Sequence, residues 1–494
     1  VAYAGQYRPQ AYTLSAGVNY RVTGFSFDFI AHKEKVGVVV SAGGQTKRST
    51  LTSQSIKVEG LEGMSASFTL DAVNNGIVLS NFKVTLSPAI EEPEPQVNIF
   101  ETKSGVPYRI PAIATAHNGD IIAVADYRHS GADIGMVNNG RIDLRARISK
   151  DNGKTWGNIF PIVEGKGASS PDFMNVGFGD PCIVADRESD RVLVMSCAGN
   201  VSFPNGKRNH HQCIARFYSD NNGKTWSKPV DISESIYSQF DNSKIGACNA
   251  MFIGSGRIFQ SSTVKVDQYY RIYCSVLYKD VNGVNKNYVL FSDNFGDTWG
   301  VLGGVDVAPI PSGADEPKVE ELPDGSILVS SRAYGGRNYN IFNFTDSKAA
   351  TGSWGSMAYS GSGNKGVVAT GNSTNGEVLI LPVRRASDNK PVYLALQSVP
   401  FGSGRANVGI YYKELASLSD FVDASAFAKN WPGKHQASRM FSAYSTMTLQ
   451  KDSTIGFLYE EETFGKAYTI VYKNYSVEYI TDSLYTYDPT VVPS

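Results

Sequence analysis

Ser149, Asp151 and Thr155 place two hydroxyls around one carboxylate within seven residues, the side-chain types from which a nucleophile and its base are built. The octapeptide that carries them, Ser149-Lys150-Asp151-Asn152-Gly153-Lys154-Thr155-Trp156, argues against that chemistry by returning twice. Ser219-Asp220-Asn221-Asn222-Gly223-Lys224-Thr225-Trp226 and Ser292-Asp293-Asn294-Phe295-Gly296-Asp297-Thr298-Trp299 keep Ser, then Asp or Asn, then Gly, then Thr-Trp. A chain needs one active site, not three. An Asp or Asn side chain bonds backbone two residues on, Gly supplies a positive φ, and Thr-Trp restarts a strand, so each copy reads as a structural hairpin turn. Other reactive types are scattered. Arg109 stands before Ile110-Pro111, Asp133 lies on a loop flanked by Gly131 and Gly135 as candidate hinges, and Tyr444 is one of 27 tyrosines. A guanidinium offers a planar fork to a carboxylate, and a phenol with an ordinary pKa of about 10 becomes a nucleophile only beside a base.

The elements that must position such residues are strands. The turns start at residues 149, 219 and 292, hence 70 and 73 residues apart, which suits one four-stranded propeller blade with generous loops. From Val97 onward the strand-and-turn rhythm runs to the C-terminus. About 398 residues divided among six blades gives roughly 66 each, close to the repeat, whereas seven would give roughly 57. Later blades carry fainter turns, at Phe344-Thr345-Asp346 with Gly352-Ser353-Trp354 and around Tyr411-Tyr412-Lys413-Glu414. Before Val97, Phe25-Ser26-Phe27-Asp28-Phe29 and Ser65-Ala66-Ser67-Phe68-Thr69-Leu70 alternate, Val36-Gly37-Val38-Val39-Val40 and Ile77-Val78-Leu79 are short apolar runs, and Ala42-Gly43-Gly44 and Asn74-Asn75-Gly76 are turns. The acidic, Pro-bearing Glu91-Glu92-Pro93-Glu94-Pro95 marks a boundary. The expectation is all-β: a small β-sandwich over residues 1–92, either a spacer or a candidate carbohydrate-binding module, then a six-bladed β-propeller over residues 93–494.

Composition bounds the function. The chain has 494 residues, 41% hydrophobic, with 46 basic against 47 acidic residues and a net charge of -1, which gives no electrostatic case for nucleic acid or an anionic membrane surface. No apolar run reaches the roughly 18 residues of a membrane span, and Val1 in place of an initiator Met fits a chain numbered after processing. Five cysteines, Cys182, Cys197, Cys213, Cys248 and Cys274, show no C-x-x-C spacing, so neither a metal site nor a cofactor is expected.

The octapeptide is similar to the Asp-box of bacterial sialidases, a structural turn on the outer rim of a six-bladed propeller that also occurs on propellers that only bind. Tyr108-Arg109-Ile110-Pro111 resembles that family's (F/Y)RIP motif, whose Arg opens a triad gripping the carboxylate of sialic acid. Glu316-Pro317-Lys318-Val319-Glu320-Glu321-Leu322, with Asp324-Gly325 and then Arg332, resembles its EPxVxEL-DG-R segment, which implies that Arg332 is the second Arg. Gly404-Arg405-Ala406-Asn407 is the best match for the third, with Arg439, Arg384 and Arg385 as competitors. Tyr444-Ser445-Thr446-Met447 with Gly456-Phe457-Leu458-Tyr459-Glu460 resembles the stretch whose Tyr is the nucleophile, and only that motif lifts Tyr444 above the other tyrosines. The anomeric carbon of a sialoside already bears a carboxylate, so a neutral phenol approaches it where a charged carboxylate would be repelled, and Glu316 is the implied base. Asp133, 24 residues after Arg109, is the implied general acid, with Asp126 and Asp143 as rivals. Arg128 resembles a residue that supports the carboxylate and the 4-hydroxyl, and Asp180 one near the N-acetyl group, although an Asp before Pro181 is equally a turn former. The resemblance covers about residues 100 to 480, and the loop bearing His210-His211 has no counterpart in it. It implies a secreted or periplasmic exo-α-sialidase acting with retention on sialylated glycoproteins, glycolipids and oligosaccharides. Trans-sialidase chemistry uses the same residues, and a binding-only propeller would lack them.

Overall fold

The structure, a computed structural model, describes residues 10–15, 20–31, 38–49, 53–61, 65–72, 77–88, 96–102, 105–369, 371, 374–463 and 466–490. The chain divides into two compact units, Val1–Pro93 and Glu94–Ala437 with Phe441–Ser494. The Asn74-Asn75-Gly76 turn, Val36-Gly37 and the Glu91 to Pro95 stretch lie outside the described residues.

In the first unit the alternating strands do what their pattern requires. Tyr20–Ala31 lies between Ser53–Glu59 and Ile77–Pro88 in one antiparallel sheet, and a second sheet runs Gln10–Ser15, Ser65–Ala72, Val38–Ala42, Gln45–Ser49. Phe25, Phe27 and Phe29 share a buried core with Val38, Val40, Phe68 and Leu70, because successive side chains on a strand point to opposite faces. Ser26 and Asp28 fall on the other face and are half-buried.

In the second unit the described strands form six sheets of four or five strands, antiparallel except where the two-residue strand Gly256–Arg257 runs parallel to Phe178–Ala185. Each is led by an inner strand, among them Tyr108–Thr115, Phe178–Ala185, Pro317–Glu321, Val378–Arg385 and Ser442–Leu449. Six apolar clusters each straddle two consecutive sheets. The last joins Leu458, Ile470 and Tyr472 to Ile113, Ile121 and Ala123, so the succession closes on itself as a β-propeller. The closing sheet is completed by the strand Val97–Phe100, which pairs antiparallel with Lys466–Tyr475. No described helix is long and apolar enough to cross a membrane, and all five cysteines are buried free thiols.

The repeated octapeptides are three copies of one turn. In the first, Ser149 Oγ receives the Gly153 amide at 2.9 Å and donates to Asp151 Oδ1, while Asp151 accepts from the Thr155 amide at 2.8 Å and its hydroxyl at 2.5 Å. Ser219 with Asn221 and Ser292 with Asn294 repeat the pattern. The glycines are required twice over. Gly153, Gly223 and Gly296 have φ of 86°, 82° and 87°, and an added Cβ would lie 2.1 to 2.6 Å from Tyr472, Ile122 and Leu193 respectively. Each of those residues belongs to the preceding sheet of the ring, so the turn is also a contact between neighbours.

Candidate functional site

In an antiparallel sheet the start of one strand and the end of the next share an edge, and the candidate residues gather on that edge. Arg109, Asp180 and Tyr444 lie near the starts of inner strands, Glu316 immediately precedes one, and Arg128 and Arg332 lie at the ends of second strands. Arg405 sits in the connection from Pro391–Pro400 to Val408–Leu415, and Asp133 in the loop after Arg128. Three inner strands break register at this edge, between Arg109 and Ala112, Gly179 and Cys182, and Ser442 and Ser445. Such bulges re-aim side chains, and here they direct chemistry-bearing groups toward the ring centre. Two have Pro, in Ile110-Pro111 and Asp180-Pro181, where the missing amide costs no ladder bond. Ile110 and Asp180 take φ of 54° and 56°. For a β-branched Ile this is a strained conformation, held by its amide donating to Glu460 Oε1 at 2.7 Å.

A cavity of about 340 Å3 opens there, lined among others by Arg109, Asp133, Asp180, Glu316, Arg332, Arg405 and Tyr444. Tyr444 Oη donates to Glu316 Oε2 at 2.7 Å, and Arg332 Nη1 reaches Glu316 Oε2 at 2.8 Å and the phenol oxygen at 3.2 Å. Burial raises the Glu316 carboxyl above its usual range, with Asp315 adding to the rise and Arg332 opposing it. Burial also pushes the phenol of Tyr444 well up, aided by the charge of Glu316 and opposed by Arg332 and Arg405, so the phenol is neutral at rest. Arg109 donates through Nε to Glu460 Oε1 at 2.7 Å, stacks 4.3 Å over the Tyr468 ring and lies 5.6 Å from that of Tyr444. Arg405 lies 5.3 Å over the Tyr444 ring.

Among the described residues, the arginines lining the cavity are Arg109, Arg332 and Arg405. The competitors for the third position are elsewhere: Arg384 binds Asp488, Arg385 binds Glu414 and Asp388, and Arg439 is not on the lining. The acid rivals separate as cleanly. Asp126 is buried against Arg128, and Asp143 is buried among Arg141, Arg145 and His129, whereas the Asp133 side chain is 67% exposed and on the lining. Burial would raise the Asp133 carboxyl, but Arg128, Arg109 and Arg405 outweigh it and hold the carboxyl below its usual range.

Arg128 is placed differently from a direct ligand. It is 1% exposed, off the cavity lining, and bound to Asp126 at 3.0 Å and to Asp133, with Asp180 at 3.6 Å. Burial and the neighbouring carboxylates raise Asp180 well above its ordinary range, partly countered by Arg128. Gly131 has open space around it, but a Cβ on Gly135 would lie 2.2 Å from the Val201 carbonyl carbon, so Gly135 is a close-packed position rather than a free pivot. His211 stacks on Tyr237 at 3.7 Å and His210 packs near Phe173, off the cavity lining.

Sequence reasoning had no role for Glu460, Asp315, Ser202 or Gln212. Glu460 is fully buried and accepts from Arg109, Ile110 and the Tyr444 amide, and Asp315 lines the cavity 3.4 Å from Arg332 Nε. The X-Pro pairs at the strand starts were the available signal for the bulges.

No family profile matches the chain. Over 417 residues it is 26% identical to a sialidase of Paraclostridium sordellii, covering 81% of this chain and 92% of that protein. A sialidase of Clostridium perfringens is 24% identical over 397 residues, covering 75% and 91%. Over most of its length the chain is thus similar to bacterial sialidases. The fold agrees: a solved Hadza microbial sialidase superposes with a TM-score of 0.60 at 16% identity, covering 96% of this chain and 98% of its own. At 26% identity to such a relative, the site of this chain rests on its own geometry.

Proposed function

We propose that this protein is a retaining exo-α-sialidase with residues 93–494 as its catalytic domain, acting outside the cytoplasm on terminal sialic acid of glycoproteins, glycolipids and oligosaccharides. One observation carries the reading: a neutral phenol donates to a buried carboxylate at 2.7 Å in a cavity walled by three arginines. Arg109, Arg332 and Arg405 take the substrate carboxylate. Tyr444 attacks the anomeric carbon as Glu316 accepts its proton, and Arg332 steadies the phenolate as charge develops. Docking a carboxylate on Arg109 and Arg405 neutralises two charges that hold the Asp133 carboxyl low, so its pKa rises when a proton is needed for the leaving oxygen. After the glycosyl-tyrosine forms, Asp133 serves as base toward water, and two displacements give retention.

The test is incubation with a fluorogenic α-sialoside, following the first product by NMR. Early release of the α-anomer of free sialic acid supports the reading. The β-anomer would overturn retention, and an anhydro or transferred sialoside would replace hydrolysis by trans-sialidase chemistry. A fluorinated sialic acid that traps the intermediate should label Tyr444.

A further inference from the structure

Tyr444 and Glu316 meet at 2.7 Å although their inner strands are not neighbours, since Ser442–Leu449 leads the sixth sheet and Pro317–Glu321 the fourth. The fifth sheet stands between them. The residues that lead into its inner strand Val378–Arg385 reach to both sides. Glu377 Oε2 accepts from Thr446 Oγ1 at 2.9 Å and lies 3.4 Å from Lys318 Nζ. Thr446 stands two residues after Tyr444 and Lys318 two residues after Glu316, so this bridge lies one pleat beneath the reacting pair. A second tie runs beside it. Asn375 Oδ1 accepts from the Ser445 amide at 3.3 Å, Asn375 Nδ2 donates to Ser255 Oγ at 3.0 Å, and Lys318 Nζ donates to the Ser255 carbonyl. Lys318, Asn375, Glu377, Ser445 and Thr446 are fully buried, and none of them lines the cavity.

Resting on the sialidase reading, we propose that Glu377 is a positioning residue for that reaction: through Thr446 and Lys318 it clasps the strands of the nucleophile and its base and sets the distance between them. A base takes a proton only within about 2.6–3.2 Å of it, so small shifts between the two strands matter. The ladders leave that distance loose. The Tyr444 strand breaks register between Ser442 and Ser445, and Glu316 precedes its own strand. Glu460 holds the Tyr444 amide from the other side, but its further partners are Arg109 and Ile110 rather than the strand of Glu316. The clasp is anchored beyond the irregularity, at Thr446. Its charges also suit it: Glu377 stands between Lys318 and Arg257, whose Nε is 3.8 Å from Oε1, and charge-assisted contacts are stronger than neutral ones.

The experiment cuts the clasp from each side. Thr446→Val removes one hydroxyl at nearly constant shape and leaves the Lys318 and Glu377 pair in place. With a fluorogenic α-sialoside, kcat should fall about tenfold, the effect of one buried hydrogen bond on alignment. KM and the calorimetric affinity for a sialic-acid analogue should stay within about twofold of the parent, because the three cavity arginines are untouched. The acid limb of the kcat profile should move to higher pH. Burial raises the Glu316 carboxyl and Asp315 adds to the rise, while Arg332 and the Tyr444 bond oppose it, so a loosened pair lets that carboxyl rise further, and a base must be ionised. Thr446→Ser keeps the hydroxyl and should recover most of both changes. Lys318→Met combined with Glu377→Gln cuts the other half and removes both charges together, so neither is left buried and unpaired. It should show the same split between kcat and KM, and it covers a Thr446→Val that does not fold. Circular dichroism shows which variants are folded. An unchanged kcat and acid limb in the folded variants, a loss that falls on KM instead, or a loss that Thr446→Ser does not reverse overturns the proposal. Failure of both to fold also overturns it, since Glu377 would then be an anchor of the fold alone. Parent turnover is read first: its absence would refute the sialidase reading, whereas parent turnover with unaltered variants refutes only the clasp.

Discussion

Replacing Glu460 by Gln changes one atom and should disable the site from behind. Oε1 accepts from Arg109 Nε at 2.7 Å and the Ile110 amide at 2.7 Å, and Oε2 accepts from Arg109 Nη2 at 3.3 Å and the Tyr444 amide at 3.2 Å. All four partners are donors. An amide has only one acceptor oxygen, so either orientation of the new side chain turns an NH2 toward two N–H groups. The substitution also leaves the Arg109 guanidinium, 13% exposed, without its counter-charge. Breaking a buried ion pair by removing one partner costs about 3–5 kcal/mol. The loss should be visible as a lower urea midpoint. Arg109 would no longer be aimed, and one charge-assisted bond of about 1.5–3 kcal/mol to the substrate carboxylate corresponds to roughly ten- to hundredfold in affinity for a sialic-acid analogue. Titration calorimetry on protein confirmed folded by circular dichroism measures it. If Glu460→Gln matched the parent in both midpoint and affinity, the carboxylate would not be what holds Arg109 and the Ile110 turn.

Tyr444→Phe should retain the fold and lose most turnover, and a fluorinated trapping reagent should then label no residue in place of Tyr444. Arg405→Lys keeps charge but loses the planar fork, so KM should rise about ten- to hundredfold, whereas Arg384→Lys, bound to Asp488 away from the cavity, should leave it unchanged. Asp151→Ala removes three hydrogen bonds of an outer turn and should lower stability by roughly a kcal/mol with kcat of the folded fraction intact. Gly153→Ala should cost more, since its Cβ would overlap Tyr472. Glu320 gives a pH signature: burial lifts its carboxyl to about 7, against the pull of Arg257. The folded chain thus keeps a proton that the unfolded chain releases near pH ~4.3. That contribution to stability is complete below the unfolded value and is lost as pH rises through about 7. Glu320→Gln should flatten the fall in urea midpoint between about pH 4 and 7, and an unchanged slope would assign it to other groups.

What the sequence disclosed follows from range. The three outer turns were legible because Ser149, Asp151, Gly153 and Thr155 bond one another within a few residues. The fourth sheet keeps only part of that local code: Trp354 donates to the Leu302 carbonyl at 3.0 Å and Asp346 accepts from the Ala349 amide at 3.1 Å, but Ala349 and Thr351 stand where the other copies have Asp or Asn and Gly. In the fifth, the short helix Ala424–Ala428 follows the strand Val408–Leu415, with Lys413 bound to the carbonyls of Ala426 and Phe427. Arg109, Glu316, Arg332 and Tyr444 were found through motifs, and the fold brings them to one cavity. Arg405 and Asp133 had weaker local signals and were separated from their competitors only by where those competitors point. Arg128 resembles a residue that supports the carboxylate and the 4-hydroxyl, and its place behind Asp133, to which it is bound, was not legible because sequence carries no depth. Glu460 was inside a quoted motif, but its bond to Arg109 spans 351 residues.

The strand Val97–Phe100 has a consequence for synthesis. It completes the sheet that carries Tyr444 and Glu460, and its partner Lys466–Tyr475 is almost the last strand of the ring to leave the ribosome. Until then Val97–Phe100 is an unpaired edge, and Ile99 and Phe100 lack the Ile470 and Tyr472 that cover them. The sheet that carries Tyr444 is therefore among the last to be assembled, so the nascent chain remains without a finished cavity until its two distant strands meet. Closure of so long a loop is slow and non-local, which makes those few residues the point where a growing chain is most open to pairing with another copy of itself.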